Sequence, residues 1–307
     1  MKSSQLEQEF SRKWLEAALA GDLDTASSAS DRIRQARIDY SDRQRWCRSL
    51  WDGTPTVNRH VVIRCWRGLG DAIHFIRYAP LVRALAKSLT VEAPAELLPL
   101  LRTVSGVDKV AELDSGQLEE GSWVEIESTE LPYVFRTTLD SIPSGIPYIG
   151  VSKQTRQTAK GKKVGLCWCG GPFDPRRSIP LPDLEPVKDV PNLRFFQLQR
   201  GPALRETDKS GIWFDNLADR SMDLSATASL IDSLDVIVSV DTMVAHLSGA
   251  LGKKVYLLLH TQADWRWLRD REDSPWYPTM RLLRQSIAGD WAPVVSRLVD
   301  LLMEGKS

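Results

Sequence analysis

The chain has 307 residues, 42% of them apolar and 26% charged, and its 40 basic residues balance 40 acidic ones. That length suits one large domain or two ordinary ones. Zero formal net charge argues against a nucleic-acid groove or a surface built for anionic lipid, so no nucleic-acid partner is expected.

No apolar run approaches the roughly 18–20 residues of a membrane-spanning helix, so no transmembrane segment is expected. Met1 to Phe10 lacks the apolar core of a signal peptide, and a cytoplasmic location is expected. The four cysteines, Cys47, Cys65, Cys167 and Cys169, are too few and too scattered for a disulfide framework. Cys167 and Cys169 lack the further ligands that a metal needs and read as buried thiols. Five glutamates between Glu119 and Glu130 read as a solvated face.

Residues 5–50 have helical spacing interrupted near Gly21 and Asp22. Leu6, Phe10, Trp14, Ala17 and Ala18 form one stripe, and Ile33, Ala36 and Tyr40 begin another. This is a helical hairpin ahead of the main fold, and a protein contact through it is expected. Strands and helices then alternate. Strands are predicted at Val61–Cys65, Leu89–Glu92, Lys109–Leu113 and Trp123–Ile126, and helices at Ala72–Ser88 (kinked at Pro80) and Glu96–Val104. The polar run Ser152–Lys162, within Ser141–Lys163, is the candidate linker.

A second series follows. Strands are predicted at Lys163–Trp168 and Arg194–Leu198, with Ile179–Val187 entering a helix and Leu224–Ser233 a helix. Residues 235–259 then read as a complete strand–helix–strand unit: Val236–Val240, Met243–Leu251, a stop at Gly252, and Val255–Leu259. Trp291–Met303 is the last helix, and Asp264-Trp265-Arg266-Trp267 with Trp276-Tyr277 concentrates four large rings in one short region of a chain that has eleven tryptophans. The expected architecture is α/β: a hairpin over residues 1–55, Rossmann-like domains over 56–150 and 151–288 facing a ligand cleft, and a last helix over 289–307.

Three turns at predicted strand ends bear chemistry. In Arg67-Gly68-Leu69-Gly70-Asp71, two glycines permit close backbone approach, and Asp71 is either a helix cap or a general base. The third glycine of a dinucleotide fingerprint is absent, which disfavours a Rossmann oxidoreductase, although Glu92 lies near the spacing of a ribose partner. In Cys169-Gly170-Gly171 through Arg176-Arg177, a glycine pair and two guanidinium groups suit a diphosphate, or the arginines are ordinary surface residues. Asp241-Thr242-Met243 begins a helix and reads as an N-cap or an anion site, with His246 structural or in contact with ribose or phosphate. The only Asp-x-Asp, Asp22-Leu23-Asp24, lies in the hairpin, away from any place for metal-dependent sugar transfer.

Taken together, Val240–Gly252, Gly68–Tyr78, Val164–Trp168, Arg176–Leu181 and Asp264–Gln285 resemble the heptosyltransferase-like glycosyltransferases, and more closely the bacterial group fused to tetratricopeptide repeats. The resemblance spans about residues 55–300. It implies a GT-B fold whose last helix crosses back to the first domain. It also implies a nucleotide-sugar donor, no metal and no cofactor, and a glycan, protein or small-molecule acceptor.

By position, Asp71 is the implied base. Arg177, with Arg176, neutralises the donor diphosphate together with Thr242 and Met243. Asp241 and His246 complete that pocket, and Gln199 contacts the nucleotide. Gly68, Gly70, Gly170 and Gly171 give backbone approach, and His74 and Arg77 are acceptor-side candidates. The rival reading is a protein of the same fold that binds nucleotide-sugar, or serves as a scaffold, without turnover.

Overall fold

In the computed structural model, residues 2–38, 51–113, 123–151, 160–216 and 223–304 are described. The expectations that fall on 39–50, on Cys47, on Glu119 and Glu120, and on most of the linker run lie outside them. The chain forms two compact units, Met1–Ser144 with Asp264–Arg271, and Gly145–Ala263 with Glu272–Ser307.

The first unit opens with helices α1 (Lys2–Ala20) and α2 (Leu23–Ile38). Gly21, at φ 81°, supplies the left-handed step between them, and Asp22 accepts the Thr25 N–H at 3.0 Å to start α2. Its sheet contains β1 (Thr56–Arg64), β2 (Ala86–Ala93), β3 (Lys109–Glu112) and β4 (Trp123–Glu127). The order is β3-β2-β1-β4 and every pairing is parallel. Val61, Val62 and Ile63 are all buried, as expected of a strand covered on both faces.

The single kinked helix expected at 72–88 is instead α3 (Leu69–Phe75), a 3-10 turn (Ile76–Tyr78) and α4 (Ala79–Leu85). Pro80 does not kink an interior: it lies in the first turn of α4, where a missing N–H costs nothing. Ala86 to Ser88 belong to β2. The helix expected at 96–104 is one turn, α5 (Leu98–Leu101), and a similar turn, α6 (Leu131–Val134), follows β4.

Asp264–Arg271, expected in the donor domain, belongs to the first unit. The Trp265 ring meets Trp14 edge-on at 5.6 Å and stacks over Phe75 at 6.5 Å. Arg269 N–H donates to the Leu19 carbonyl at 2.9 Å. The hairpin is therefore packed into this unit rather than standing apart as a domain.

The second unit has β5 (Lys162–Cys167), β6 (Leu193–Gln197), β7 (Val236–Val240), β8 (Lys254–Leu259) and β9 (Met280–Arg284) in the order β6-β5-β7-β8-β9, all parallel. Its helices are α7 (Leu224–Ser233), α8 (Met243–Ala250) and α9 (Ala292–Glu304). The stretch expected to enter a helix near Ile179 is a 3-10 segment, Leu181–Asp189, where Pro182 and Pro186 remove the donors an α-helix would use. The expectation that the last helix packs back on the first domain is corrected. Val294, Val295, Leu298, Leu301 and Leu302 of α9 are buried in the same core as Val164, Leu166, Val236 and Val238, and the Tyr256 hydroxyl donates to the Leu301 carbonyl at 3.2 Å.

Both sheets reverse strand order once. The chain leaves β1 for β2 and β3 and returns on the other side as β4; it leaves β5 for β6 and returns as β7. Open parallel sheets bind ligands at the carboxyl ends of the two strands flanking such a reversal. Among the described residues, no helix is long and apolar enough to cross a membrane. Leu298→Ala should cost about 2–5 kcal/mol through the cavity it leaves, read from urea unfolding followed by tryptophan fluorescence.

Candidate functional site

In the second unit the reversal point lies between the ends of β5 and β7. The loop leaving β5 is held by Gln199: its Oε1 accepts the N–H groups of Trp168 at 3.1 Å and Cys169 at 2.8 Å, and its Nε2 donates to the carbonyls of Cys169 at 3.2 Å and Arg200 at 3.0 Å. That uses both donors and both lone pairs of a buried amide. The nucleotide contact expected of Gln199 is replaced by a strap that shapes the loop.

Beyond this strap, Asp174 begins the 3-10 turn Pro175–Arg177 by accepting the Arg176 N–H at 3.1 Å. The Arg176 side chain folds back on the Asp174 carboxylate, with Nε and Nη2 each at 2.8 Å, and Nη1 donates to Gln262 Oε1 at 2.5 Å. Arg176 is thus committed to a neighbouring carboxylate rather than held out for a diphosphate. Arg177 points the other way. Its Nη1 donates to the Asp241 carbonyl at 3.0 Å, and Nη2 and Nε reach the carbonyls of Gly171 and Asp174 at 3.4 Å each. Three of five guanidinium N–H groups are thereby engaged, leaving one on each terminal nitrogen.

Neither Gly170 nor Gly171 has a positive φ, and a Cβ on either would lie 3.5 Å or more from its nearest neighbour, the Arg177 guanidinium. Backbone strain does not demand these glycines, and their effect is to leave open the space over the arginine. Gly68 is similar, with only the Asp71 carboxylate near a built Cβ, and Gly70 lies within α3.

At the end of β7, Thr242 is the N-cap of α8: its Oγ1 accepts the Val244 N–H at 3.0 Å. The cap reading holds, and a cap of this kind satisfies one of the early N–H groups while the others have no intrahelical partner. One turn on, the buried His246 has Nε2 at 3.7 Å from Asp241 Oδ1 and Nδ1 at 3.0 Å from the Tyr277 hydroxyl, which lies 3.3 Å from that of Tyr148. With the Tyr277 hydroxyl donating to Nδ1, the neutral ring carries its proton on Nε2, toward the carboxylate.

In the first unit, Asp71 occupies the third position of α3, past the end of β1 at that sheet's reversal point. Its Oδ2 accepts the Gly68 N–H at 3.2 Å, while Oδ1 accepts from Arg266 Nη2. Arg266 also donates Nη1 to Asp264 Oδ1 at 2.8 Å and lies over the rings of Phe75 at 4.9 Å and Trp265 at 5.4 Å. Its side chain is 12% exposed against 27% for Asp71, so the carboxylate is the more accessible partner.

Two acceptor-side candidates do not fit. His74 is fully buried beside Phe75, and the buried Arg77 donates Nε to the His74 carbonyl at 2.8 Å, so neither side chain lies on the surface. Glu127, at the end of β4, is half-buried rather than part of a solvated face; burial raises its carboxyl above the ordinary range despite hydrogen bonds from Ser128 and Trp66. Burial likewise pushes the thiols of Cys65 and Cys167 up to about 12 and about 11. Among the described residues, no group of three His, Cys, Asp or Glu side chains is placed to hold a metal ion.

Sequence reasoning missed Arg266, Asp174, Tyr277 and Tyr148. Arg266 lies inside a segment noted for its rings, where its charge was the unread signal. Asp174 sits in the quoted arginine loop, three residues from the side chain it helps to orient.

No family model matches the chain. Protein FlbA of Caulobacter vibrioides is 25% identical over 290 residues, covering 83% of this chain and 48% of FlbA, so the chain spans about half the length of that relative. The ADP-heptose lipopolysaccharide heptosyltransferase II of E. coli has a TM-score of 0.60 at 14% identity, covering 81% of this chain and 100% of that one. The family 9 glycosyl transferase of Veillonella parvula has a TM-score of 0.58 at 12% identity, covering 76% and 88%. The fold is that of the GT-B heptosyltransferases: two α/β units, each with a parallel sheet, the first of them opening on a helical hairpin.

The Arg176 guanidinium holds the Asp174 carboxyl down to about 2. A depressed folded value stabilises the protein above the unfolded value and is lost as pH falls through the folded one. The stability gap between the native protein and Arg176→Gln should therefore be constant above about pH 5 and shrink between about pH 4 and pH 2, read from urea midpoints across that range.

Proposed function

We propose that this chain is a glycosyltransferase that moves a sugar from a nucleotide-sugar donor to an acceptor hydroxyl. The observation that carries this reading is the Arg177 guanidinium, fixed to the Asp241 carbonyl at the reversal point of a parallel sheet, beside a helix start and a glycine pair. Such a group suits a pyrophosphate: a guanidinium binds two oxygens through a planar fork, and a helix start adds N–H donors of the same sign. The likeness to heptosyltransferase II, whose donor is ADP-heptose, supports a nucleotide-sugar as the ligand.

In this mechanism the acceptor oxygen attacks the anomeric carbon and forms the new glycosidic bond while its proton passes to Asp71. The bond from the anomeric carbon to the diphosphate oxygen breaks, and the nucleoside diphosphate leaves with that electron pair. Arg177 and the start of α8 meet the growing negative charge, the preorganised electrostatic stabilisation that commonly supplies the largest part of a rate enhancement. No metal enters the proposal, because these groups supply the positive charge.

Asp71 suits the base. Its two oxygens are fixed from opposite sides by Gly68 and Arg266, and each keeps a second lone pair for a proton. Arg266 is its positioning residue, tied to Asp264 so that the guanidinium does not wander. His246 and Asp241 support the diphosphate pocket, with the Tyr277 hydroxyl 3.0 Å from the imidazole Nδ1.

Asp71→Asn should lower the release of nucleoside diphosphate from the donor by roughly 10²–10⁴-fold while leaving nucleoside diphosphate affinity unchanged. Unchanged turnover overturns the base assignment, and turnover absent from the native protein with binding retained favours the non-catalytic rival. Arg177→Ala should weaken nucleoside diphosphate binding roughly 10- to 100-fold by calorimetry, and affinity equal to the native protein's would remove Arg177 from the site.

A further inference from the structure

The second unit contains a cavity of about 300 Å³ that none of the roles above uses, lined by Arg176, Ser178, His260, Gln262, Gln285 and Trp291 among others. It opens at the carboxyl ends of β8 and β9: His260 follows the last residue of β8, and Gln285 follows the last of β9. Three observations define what it suits.

The first is an unmade hydrogen bond. Gln285 is only 4% exposed. Its Oε1 accepts the Gly289 N–H at 3.2 Å, and its Nε2 has no partner among the described residues. A buried amide donor left without an acceptor is costly, so an occupant offering an oxygen there is favoured.

The second is electrical neutrality. The Arg176 charge is cancelled by the bidentate Asp174 carboxylate. His260 accepts the Gln262 N–H on Nδ1 at 3.3 Å, so its proton sits on Nε2, 3.7 Å from Asp174 Oδ2. Burial, the largest influence, lowers the pKa of this imidazole and favours its neutral form. The one guanidinium in the lining is therefore already paired, in contrast to Arg177, whose terminal nitrogens keep two N–H groups.

The third is the lining itself. A buried indole, Trp291, faces a space bordered by two primary amides, a hydroxyl and an imidazole. Amides and hydroxyls both donate and accept, as the hydroxyls of a sugar do, and an aromatic ring covers the C–H face of a pyranose. The volume lies at the low end of ligand pockets, which suits one ring rather than a nucleoside.

From these we infer that the cavity seats the neutral, polyhydroxylated glycosyl ring of the donor, with Gln285 Nε2 donating to one of its hydroxyl oxygens. The inference rests on the donor reading of the preceding section and extends it to sugar recognition. Arg176 and Arg177 adjoin in sequence and turn apart, so one short loop borders a charged subsite on one side and a neutral one on the other.

The test is calorimetric titration of the native protein, Gln285→Met and Ala288→Trp with UDP, ADP, GDP and dTDP, each beside UDP-glucose, ADP-glucose, GDP-mannose and dTDP-glucose. Ala288 is exposed and lines the same cavity, so a larger side chain there obstructs it without burdening the core. The expected result is a native preference for one nucleotide-sugar over its own nucleoside diphosphate by about tenfold, the worth of one good hydrogen bond. Both variants should abolish that preference and leave nucleoside diphosphate affinity unchanged.

A native protein that binds nucleoside diphosphate without preferring any sugar conjugate overturns the glycosyl subsite alone. So does a preference that survives in the variants, or one lost together with nucleoside diphosphate affinity. A native protein that binds no nucleotide overturns the donor reading and this subsite with it. If Gln285→Met does not fold, Ala288→Trp decides the matter.

Discussion

The bond from the Arg177 guanidinium to the Asp241 carbonyl is the constraint on which the diphosphate site proposed for the second unit depends. It ties the loop leaving β5 to the turn entering α8, two segments that a reversal in strand order brings side by side. Without that tie, a long arginine side chain would lose substantial rotamer entropy to meet an anion. With it, part of that ordering is complete before any ligand arrives. The Gln199 strap does the same for the backbone beneath, because an amide that satisfies four main-chain groups fixes where the glycine pair can lie.

The same logic recurs in the first unit with the charges exchanged. There the proposed base is a carboxylate, and the guanidinium of Arg266 holds it, itself confined between Asp264 and two aromatic rings. In both units a charged side chain near a strand end is oriented by a residue distant in the chain. Helix starts place Asp71 and Thr242, and side-chain hydrogen bonds then select one rotamer from several.

What the sequence made legible follows from the range of the interactions involved. The β7–α8–β8 unit was readable because each of its signals is local: five consecutive buried residues, a threonine cap and a glycine stop. α7 likewise begins at its Asp223 cap and ends at Ser233, as the pattern indicates. By contrast, in β9 (Met280–Arg284) arginines at the second and last positions break the apolar run, and its neighbours are rich in tryptophan. The region after Asp71 has a continuous helical stripe, yet tertiary packing divides it and gives Ala86 to the sheet. The strap role of Gln199 and the support that Arg266 gives Asp71 were opaque for a stronger reason: the partners concerned lie about 30 and 195 residues away.

The excursion of Asp264–Arg271 into the first unit has a consequence for how the polypeptide is wired. The backbone passes from one unit to the other three times, after Ser144, after Ala263 and after Arg271. Neither unit is therefore a contiguous stretch of translated chain, and the first is complete only once the ribosome has delivered most of the second. A protein severed after Ser144 would strand Asp71 without its guanidinium companion. The contact that holds Asp71 is made from a segment synthesised late.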